Sequence, residues 1–249
     1  MIPIKSEEDL RMMRRSGKIL SDVMGKVRES LRPGMTTLDV DRMSEELILK
    51  ADALPAFKDY NGFPASACIS VNEEVVHGIP ASRVILEGDI VSIDLGVNYR
   101  GYFSDMAITV PAGEVSRDKQ KLMEVTRDSL GLGIKQACPG NYLTDISHSI
   151  QEFVEGRGFS VVRQFVGHGI GRALHEEPEV PNFGSAGLGP LLKKGMVLAI
   201  EPMVNIGTWE CRVTRNGWTA VTKDGLASAH FEHTVAVTDN GPEILTGQG

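Results

Sequence analysis

Cysteine, long apolar runs and positive charge are all scarce in this sequence of 249 residues. The three cysteines, Cys68, Cys138 and Cys211, are an odd and widely spaced set. This excludes a disulfide framework and a cysteine zinc site and is typical of a reducing compartment. No segment approaches the roughly 18 consecutive apolar residues of a membrane span, and the first residues contain no apolar signal segment. We therefore expect a cytoplasmic protein that does not bind a membrane.

Positive charge is outnumbered, because 26 Lys and Arg residues stand against 33 Asp and Glu residues for a formal net charge of −7. Proteins that bind nucleic acid directly need a basic face. The one local basic cluster, "RMMRRSGK" at 11–18, lies on a helical pattern that also carries acids, and we interpret it as a solvated face. Charge therefore argues against nucleic acid as a direct partner. The hydrophobic content of 41% is ordinary for a globular protein.

The order of periodic patterns predicts a mixed α/β fold. Helical patterns cover 6–31, a second segment that ends near Ala51, and two segments within 116–158. Residues 88–110 have the pattern of a β-hairpin, and further strand patterns fill the last third of the chain.

Two pairs of short segments repeat at a nearly constant spacing. "PGMTTLDV" aligns with "PGNYLTDI", 106 positions later. "EGDIVSID" aligns with "KKGMVLAIE" and places Asp94 on Glu201, 107 positions later. The common order predicts an internal duplication with pseudo-two-fold symmetry, with repeats at about 14–110 and 120–238 in a single domain, 1–249. A site at the symmetry axis would receive side chains from both halves.

Carboxylates stand where core residues are expected. Asp94 and Asp105 lie on the two apolar arms of the hairpin, and a turn centred on 98–101 would place them directly opposite each other. Like charges at opposed positions destabilise a strand pair, and burial of unpaired carboxylates costs several kcal/mol each. Three compensations are open: a shared proton, pairing with Arg100, or a cation between the two groups.

The second half favours the cation. Glu201 follows an apolar strand as the repeat equivalent of Asp94, and Glu232 lies within the last apolar stretch. In "FVGHGIG", His168 has glycine on both sides, which permits close approach of backbone and ligand. Four carboxylates and one imidazole suit a dinuclear centre for divalent metals. The alternative is that protein groups satisfy each acid separately.

The other histidines are assigned less directly. His77 and His175 lie in loops and fit either hydrogen-bond donors to a substrate or ordinary loop histidines. His230 and His233 flank Glu232, and we expect both to point away from the metals.

The motifs "SIDLG", "FSDMA", "GHGIGRALHEEP", "IEPM" and "HFEHT" resemble, in order and context, those of the methionine aminopeptidases over nearly the whole chain. The resemblance implies a single catalytic domain with the pita-bread fold, an α/β (α+β) fold with pseudo-two-fold symmetry around a mostly antiparallel curved sheet. It implies two divalent ions, of Co, Mn, Fe, Zn or Ni. The ligands it implies are Asp94, Asp105, His168, Glu201 and Glu232. Among them, Asp105 and Glu232 would bridge the two ions.

The implied activity is removal of the initiator methionine from nascent polypeptides whose second residue is small. A water activated by the metals would attack the first peptide bond, with Glu201 as proton shuttle and His77 and His175 against the substrate. The pocket for the methionine side chain would be formed by Tyr60, Phe63, Cys68 and Trp218, near Met203. Leu174 stands where some members of the family have an aromatic residue.

Two features indicate the bacterial-style type I enzymes. Glu201 and Glu232 are only 31 positions apart, too close for the insertion of the type II enzymes, and no zinc-finger segment precedes the first helix. We expect a monomer that meets its substrates at the ribosome. Two other functions stay open: a proline-directed peptidase of the same fold, and a metal-free binding module.

Overall fold

The computed structural model describes residues 2–247 and shows four α-helices packed on antiparallel sheets. Met1, Gln248 and Gly249, which the predicted domain 1–249 includes, lie outside the described residues. The helices are Glu7–Ser30 (α1), Thr37–Lys50 (α2), Arg117–Gln136 (α3) and Leu143–Glu155 (α4), with a short 3-10 helix at Tyr60–Gly62. The strands are Leu54–Pro55 (β1), Ala67–Val71 (β2), Glu74–Val76 (β3), Asp89–Tyr99 (β4), Tyr102–Ala112 (β5), Ser160–Val161 (β6), Gly167–Gly169 (β7), Glu176–Val180 (β8), Val197–Ile200 (β9), Met203–Asn205 (β10), Cys211–Val213 (β11), Ala220–Thr222 (β12), Ser228–His230 (β13), His233–Thr238 (β14) and Gly241–Ile244 (β15).

Local signals in the sequence fix the starts of the helices. Ser6 caps α1, because its hydroxyl accepts from the Asp9 N–H at 3.2 Å and the Asp9 carboxylate accepts from the Ser6 N–H at 3.0 Å. Thr36 and Asp39 form the same reciprocal pair at the start of α2. The predicted mixed α/β class and the four predicted helices are confirmed.

Each half of the chain packs its own helix pair on its own strands. In the first half the apolar face of α1, including Leu20 and Met24, packs against Ile69, Ile93 and Leu95 of β2 and β4. In the second half α3 and α4 pack against residues of β9, β10 and β14. The sheets that matter for the site are the group β1, β4, β2 and β5, and the run β15-β14-β9-β7-β8. Within the described residues, no helix has an apolar stretch long enough to cross a bilayer.

Equivalent backbone contacts occur in the two halves. An isolated bridge joins Thr36 to Val84, and another joins Tyr142 to Leu191, at spacings of 106 and 107 positions. The N–H groups of Thr36 and Tyr142 both donate to the aspartate three residues later, each at 2.8 Å. We infer from these equivalences that 14–110 and 120–238 are repeats within one domain.

The register of the hairpin differs from the prediction. Asp94 pairs with Ala107, and Asp105 pairs with Gly96, so the two aspartates are not directly opposed. The turn is centred on Arg100 and Gly101, whose φ angles are both positive, 53° and 80°. Two such residues give the tight turn that fits the twist of a hairpin.

The displacement by two residues keeps both carboxylates on one face. Side chains alternate with a period of two along a strand, so Asp94 and Asp105 become diagonal neighbours on the same side of the sheet. The expectation of direct opposition was wrong, but the shared face that the metal hypothesis requires is present.

Candidate metal centre

A cavity of about 640 Å³ lies between the two halves. All eleven predicted site residues line it, together with Leu174, Met203 and His230. The eleven are Tyr60, Phe63, Cys68, His77, Asp94, Asp105, His168, His175, Glu201, Trp218 and Glu232. The structure therefore brings into one cavity residues that lie up to 172 positions apart, from Tyr60 to Glu232.

His168 is held in one orientation on β7. Its Nδ1 lies 2.9 Å from the carbonyl oxygen of Gly169, so Nδ1 carries the proton and Nε2 faces the cavity with its lone pair. A Cβ atom on Gly167 would lie 2.3 Å from the Ala199 carbonyl oxygen, and one on Gly169 would lie 2.2 Å from the Glu177 carbonyl oxygen. Glycine on both sides of His168 therefore allows the neighbouring strands to approach.

The segment that contains Glu232 is bonded along β5. The Glu232 N–H donates to the Ala107 carbonyl at 2.9 Å. Two residues on, the Thr234 hydroxyl accepts from the Asp105 N–H at 2.9 Å and donates to the Asp105 carbonyl at 2.8 Å. These bonds hold Asp105 and Glu232, which are 3% and 2% exposed, at the bottom of the cavity.

Burial and mutual repulsion dominate the electrostatics of the four carboxylates. Burial, followed by the neighbouring acids, raises the pKa of Asp94, Glu201 and Glu232 well above the usual carboxyl range. The pKa of Asp105 rises to about 7, again through burial. Burial also lowers the pKa of His168 to about 3, so its imidazole is neutral at physiological pH, as a metal ligand requires.

The residues present fit divalent metal ions. The His168 Nε2 lies 3.8 Å from Asp105 Oδ2 and 3.6 Å from Glu201 Oε1, and Asp105, His168 and Glu232 can direct one ligand atom each to a common point. Within residues 2–247, Asp94 Oδ1 and Glu232 Oε1 are buried without a hydrogen-bond partner. Buried carboxylates are normally paired or coordinate a metal. Protein groups of the described residues therefore do not satisfy every acid of the cluster, and its ligand atoms are close enough together to hold a metal ion.

His77 lines the same cavity and has a backbone conformation that few non-glycine residues adopt, with a φ of 59°. Such residues cost on the order of 1–3 kcal/mol and cluster at functional sites. The Thr219 hydroxyl donates to the His77 carbonyl at 3.2 Å, and the ring packs edge-on against Phe165. Burial lowers the pKa of His77, which favours the neutral ring.

His175 stands beside His168, with ring centroids 4.2 Å apart. Its Nδ1 is hydrogen-bonded to the Tyr60 hydroxyl at 2.8 Å, which leaves Nε2 as its free ring nitrogen. The loop that carries it is organised by Glu176, whose carboxylate accepts from the N–H groups of Arg172 and Ala173 and pairs with the buried Lys5 ammonium. The first residues of the chain thus brace this loop.

One wall of the cavity is apolar. Phe63 and Trp218 meet edge to face with centroids 5.2 Å apart, and the buried Cys68 belongs to the same apolar cluster. The buried Met203 also lines the cavity. Cys68 pairs with Asp94 across β2 and β4, so this wall directly adjoins the carboxylates. Leu174 is 1% exposed and completes the wall.

His230 does not point away, and that expectation was wrong. Its Nε2 lies 3.5 Å from Glu201 Oε2, and its side chain is 2% exposed. His233 does point away, because its Nδ1 is hydrogen-bonded to the Thr246 hydroxyl at 2.9 Å. Strict alternation could have found this, since His230 and Glu232 are two positions apart and share a face in extended chain, whereas His233 does not.

The metal-free protein is expected to lose stability as pH rises from about 4 to about 7. The Asp105 pKa is about 7 in the folded chain against 3.8 for the free group, so the folded state binds a proton that the unfolded state has released. This stabilisation is complete below about pH 4 and is lost as pH rises through about 7. The measurement is the Tm in chelator across this range, where each kcal/mol moves Tm by roughly 2–4 °C.

Two variants control this measurement. Asp105→Asn should reduce the fall in Tm but not remove it, because burial also raises the pKa of the three other carboxylates of the cluster. Asp128→Asn, which changes an exposed carboxylate, should keep the full fall. Added Mn²⁺ should also flatten the fall, because it binds the deprotonated carboxylates. A Tm in chelator that rises with pH over this range would contradict the assigned protonation.

The comparisons with known proteins agree with this geometry. The model of metallopeptidase family M24 matches residues 11–239. The methionine aminopeptidase of Clostridium acetobutylicum is 53% identical over 247 residues, which are 99% of this chain and 99% of the relative. The crystal structure of the methionine aminopeptidase of Thermotoga maritima superposes with a TM-score of 0.98 at 48% identity, with 100% of each chain covered. The pita-bread fold is thereby confirmed.

A more remote structure shares the fold alone. The prolidase of Pyrococcus furiosus has a TM-score of 0.81 at 24% identity, and the match covers 99% of this chain and 66% of that chain. The prolidase therefore contains a region with this fold and a further third without a counterpart in the match.

Proposed function

Since the chain belongs to metallopeptidase family M24 and, within it, to the methionine aminopeptidases, we propose that its cavity removes N-terminal methionine from peptides whose second residue is small. The chain is a hydrolase, a metallo-aminopeptidase. The observation that carries the proposal is the position of the buried carboxylates and His168 directly beside the apolar wall of Phe63, Cys68 and Trp218. A methionine side chain against that wall would place the first peptide bond over the ligands.

We propose two divalent ions, held by Asp94, Asp105, His168, Glu201 and Glu232. The donor set, mainly carboxylate oxygens with imidazole, suits several metals, among them Co, Mn, Fe, Zn and Ni. When bound, such ions supply a water of lowered pKa and polarise the peptide carbonyl. Asp105 and Glu232, the most buried of the carboxylates, are the proposed shared ligands.

The residues of the chain would divide the remaining work. Glu201 would take the proton of the attacking water and pass it to the leaving amine, which its raised pKa favours. His175 would donate from Nε2 to the carbonyl oxygen as negative charge develops there, since Tyr60 fixes the other ring nitrogen. His77, which lines the same cavity, would contact the scissile amide or the second residue.

The pocket for methionine would be formed by Tyr60, Phe63, Cys68 and Trp218, with Met203 and Leu174 behind them. Aromatic rings and sulfur atoms make favourable contacts with a thioether. With leucine at residue 174, this part of the wall is aliphatic.

The substrates that we propose in the cell are nascent polypeptides in the cytoplasm, met at the ribosome. Newly made chains are the source of initiator methionine at a free N-terminus. The net charge of −7 does not favour direct contact with nucleic acid. Both halves of one chain contribute to the centre, so we propose a monomer as the active form.

The proposed function is tested by metal reconstitution. Protein stripped of metal should not hydrolyse Met-Ala-Ser, and Co²⁺, Mn²⁺, Fe²⁺, Zn²⁺ and Ni²⁺, each added alone, will show which ions restore the activity. Asp94→Asn should lower the restored activity, whereas Asp22→Asn on the exposed face of α1 should not.

Three peptides distinguish the candidate activities. We expect rapid cleavage of Met-Ala-Ser, slow cleavage of Met-Leu-Ser and no cleavage of Ala-Pro. Preference for Ala-Pro would instead indicate a proline-directed peptidase. A calorimetric titration that detected no binding of Mn²⁺ or Co²⁺ would indicate a metal-free binding module.

A further inference from the structure

We propose that His230 is a sixth metal ligand, which gives the centre a second imidazole in addition to that of His168. The inference rests on the metal centre proposed above and concerns a residue outside the five ligands of that centre. It follows from the position of one buried nitrogen atom, His230 Nε2, relative to the carboxylates of Glu201 and Glu232.

The His230 Nε2 atom is buried beside acceptors without bonding to any of them. The side chain is 2% exposed, and Nε2 has no hydrogen-bond partner among residues 2–247. A polar atom that is buried without a hydrogen-bond partner destabilises the folded protein. The Glu201 Oε2 atom lies 3.5 Å away, which is longer than the 2.7–3.2 Å of a normal N–H···O bond.

The distance instead fits two ligands of one ion. Ligand atoms at about 2.1 Å from a tetrahedrally coordinated metal lie about 3.4 Å from each other. The nitrogen of His168 lies 3.6 Å from the other oxygen of Glu201. His230 therefore has the same relation to Glu201 Oε2 as His168, a proposed ligand, has to Oε1.

The two imidazoles belong to two overlapping groups of ligands. Asp105, His168 and Glu232 can direct one atom each to a common point, and so can Glu201, His230 and Glu232. Glu232 occurs in both groups, which is the arrangement expected of a bridging carboxylate between two ions. Each group then has one imidazole of its own.

The backbone places His230 for this role before any ion binds. The His230 N–H donates to the Thr109 hydroxyl at 2.9 Å, and the same hydroxyl donates to the His230 carbonyl at 2.8 Å. With the bond from Glu232 to Ala107, this anchors the segment to β5 on both sides of Phe231. A ligand on a rigid element needs no reorganisation to bind.

X-ray absorption at the cobalt edge tests the proposal on the full chain. Protein loaded with two equivalents of Co²⁺, verified by calorimetry, should show about one imidazole per cobalt. A centre of five ligands in which His168 is the single imidazole would show about half an imidazole per cobalt. This measurement on the unaltered protein needs no variant, so it decides the question even if substitutions at His230 impair folding.

Substitution adds a second readout. His230→Gln, in which the new side chain has a similar length, should halve the number of imidazoles per cobalt. It should also lower the affinity for at least one of the two cobalt ions about 10–100-fold or more, because loss of a residue that only supports a ligand already lowers metal affinity by that factor. His233→Gln, on the opposite face of the same segment, should change neither value.

The outcomes separate the two proposals. If two cobalt ions bind with an average of half an imidazole per ion, and this average is the same in His230→Gln, the role of His230 is overturned and the metal centre stands. Protein that binds no Co²⁺ would overturn the centre and this inference together.

Discussion

Glu201→Gln is expected to abolish peptide hydrolysis while the fold is retained. The substitution keeps the size of the side chain, but removes the carboxylate that would accept the proton of the attacking water. The amide is also a poorer metal ligand than the carboxylate, whose oxygens lie 3.6 Å from His168 Nε2 and 3.5 Å from His230 Nε2. We expect kcat on Met-Ala-Ser to fall about 10³-fold or more, which is roughly 4 kcal/mol of transition-state stabilisation.

A second acid in the same cavity provides the control. Glu179 lines the cavity and pairs with His168 across β7 and β8, but its side chain is exposed and lies outside the ligand groups. Glu179→Gln should retain most of the activity. Metal content, measured on every variant, separates loss of an ion from loss of the proton acceptor. Full activity of Glu201→Gln in the presence of metal would refute the proposed mechanism.

His175→Ala is expected to lower kcat about 10²–10³-fold, with a smaller effect on KM, because it removes a donor to the developing oxyanion. The hydrogen bond from Tyr60 to His175 Nδ1 makes a sharper test possible. Tyr60→Phe alone should cost roughly tenfold at most, the equivalent of one neutral hydrogen bond. In the His175→Ala background the same change should have almost no effect, since the ring that it orients is gone.

This double-mutant cycle excludes a merely structural role of Tyr60. If Tyr60 only filled the methionine pocket, its substitution would reduce activity equally in both backgrounds. Tyr142→Phe, at an exposed tyrosine outside the cavity, is the matched control and should leave kcat and KM unchanged. Additive losses in the cycle would show that Tyr60 acts independently of His175.

The five proposed ligands could be selected from the sequence because each breaks a local rule. Asp94, Asp105 and Glu232 are acids within apolar strand patterns, and Glu201 follows such a strand, where the hydrophobic effect favours none of them. His168 lies between two glycines, and glycine is required at both positions because β8 and β9 approach too closely for a Cβ atom. Rules of composition and periodicity were sufficient to find these residues, because functional sites are the places where residues depart from such rules.

The register of the hairpin could not be predicted in the same way. The position of its turn depends on Arg100, which adopts a positive φ although it is not glycine. A shift of the turn by one residue moves the partner of each aspartate by two positions without changing the apolar pattern. The faces of the strands were therefore predictable, but the partner of each aspartate was not.

His230 was missed for a different reason. The prediction treated both histidines beside Glu232 as one pair, although they differ in their distance from it along the chain. The structure separates β13 from β14 at Phe231 and Glu232, yet the segment stays extended along β5. Residues two positions apart then share a face, which brings His230 to the carboxylates and turns His233 toward Thr246.

The division of the metal centre between the two halves has a consequence for the integrity of the enzyme. Asp94 and Asp105 precede the link between β5 and α3, and the other proposed ligands follow it. This link is short and largely exposed, with Gly113, Glu114 and Ser116 on the surface. A protease that cut there would release no fragment with peptidase activity of its own, because neither piece carries a full set of ligands. Catalytic activity thus reports on whether both pieces are present and docked, as in a split reporter protein.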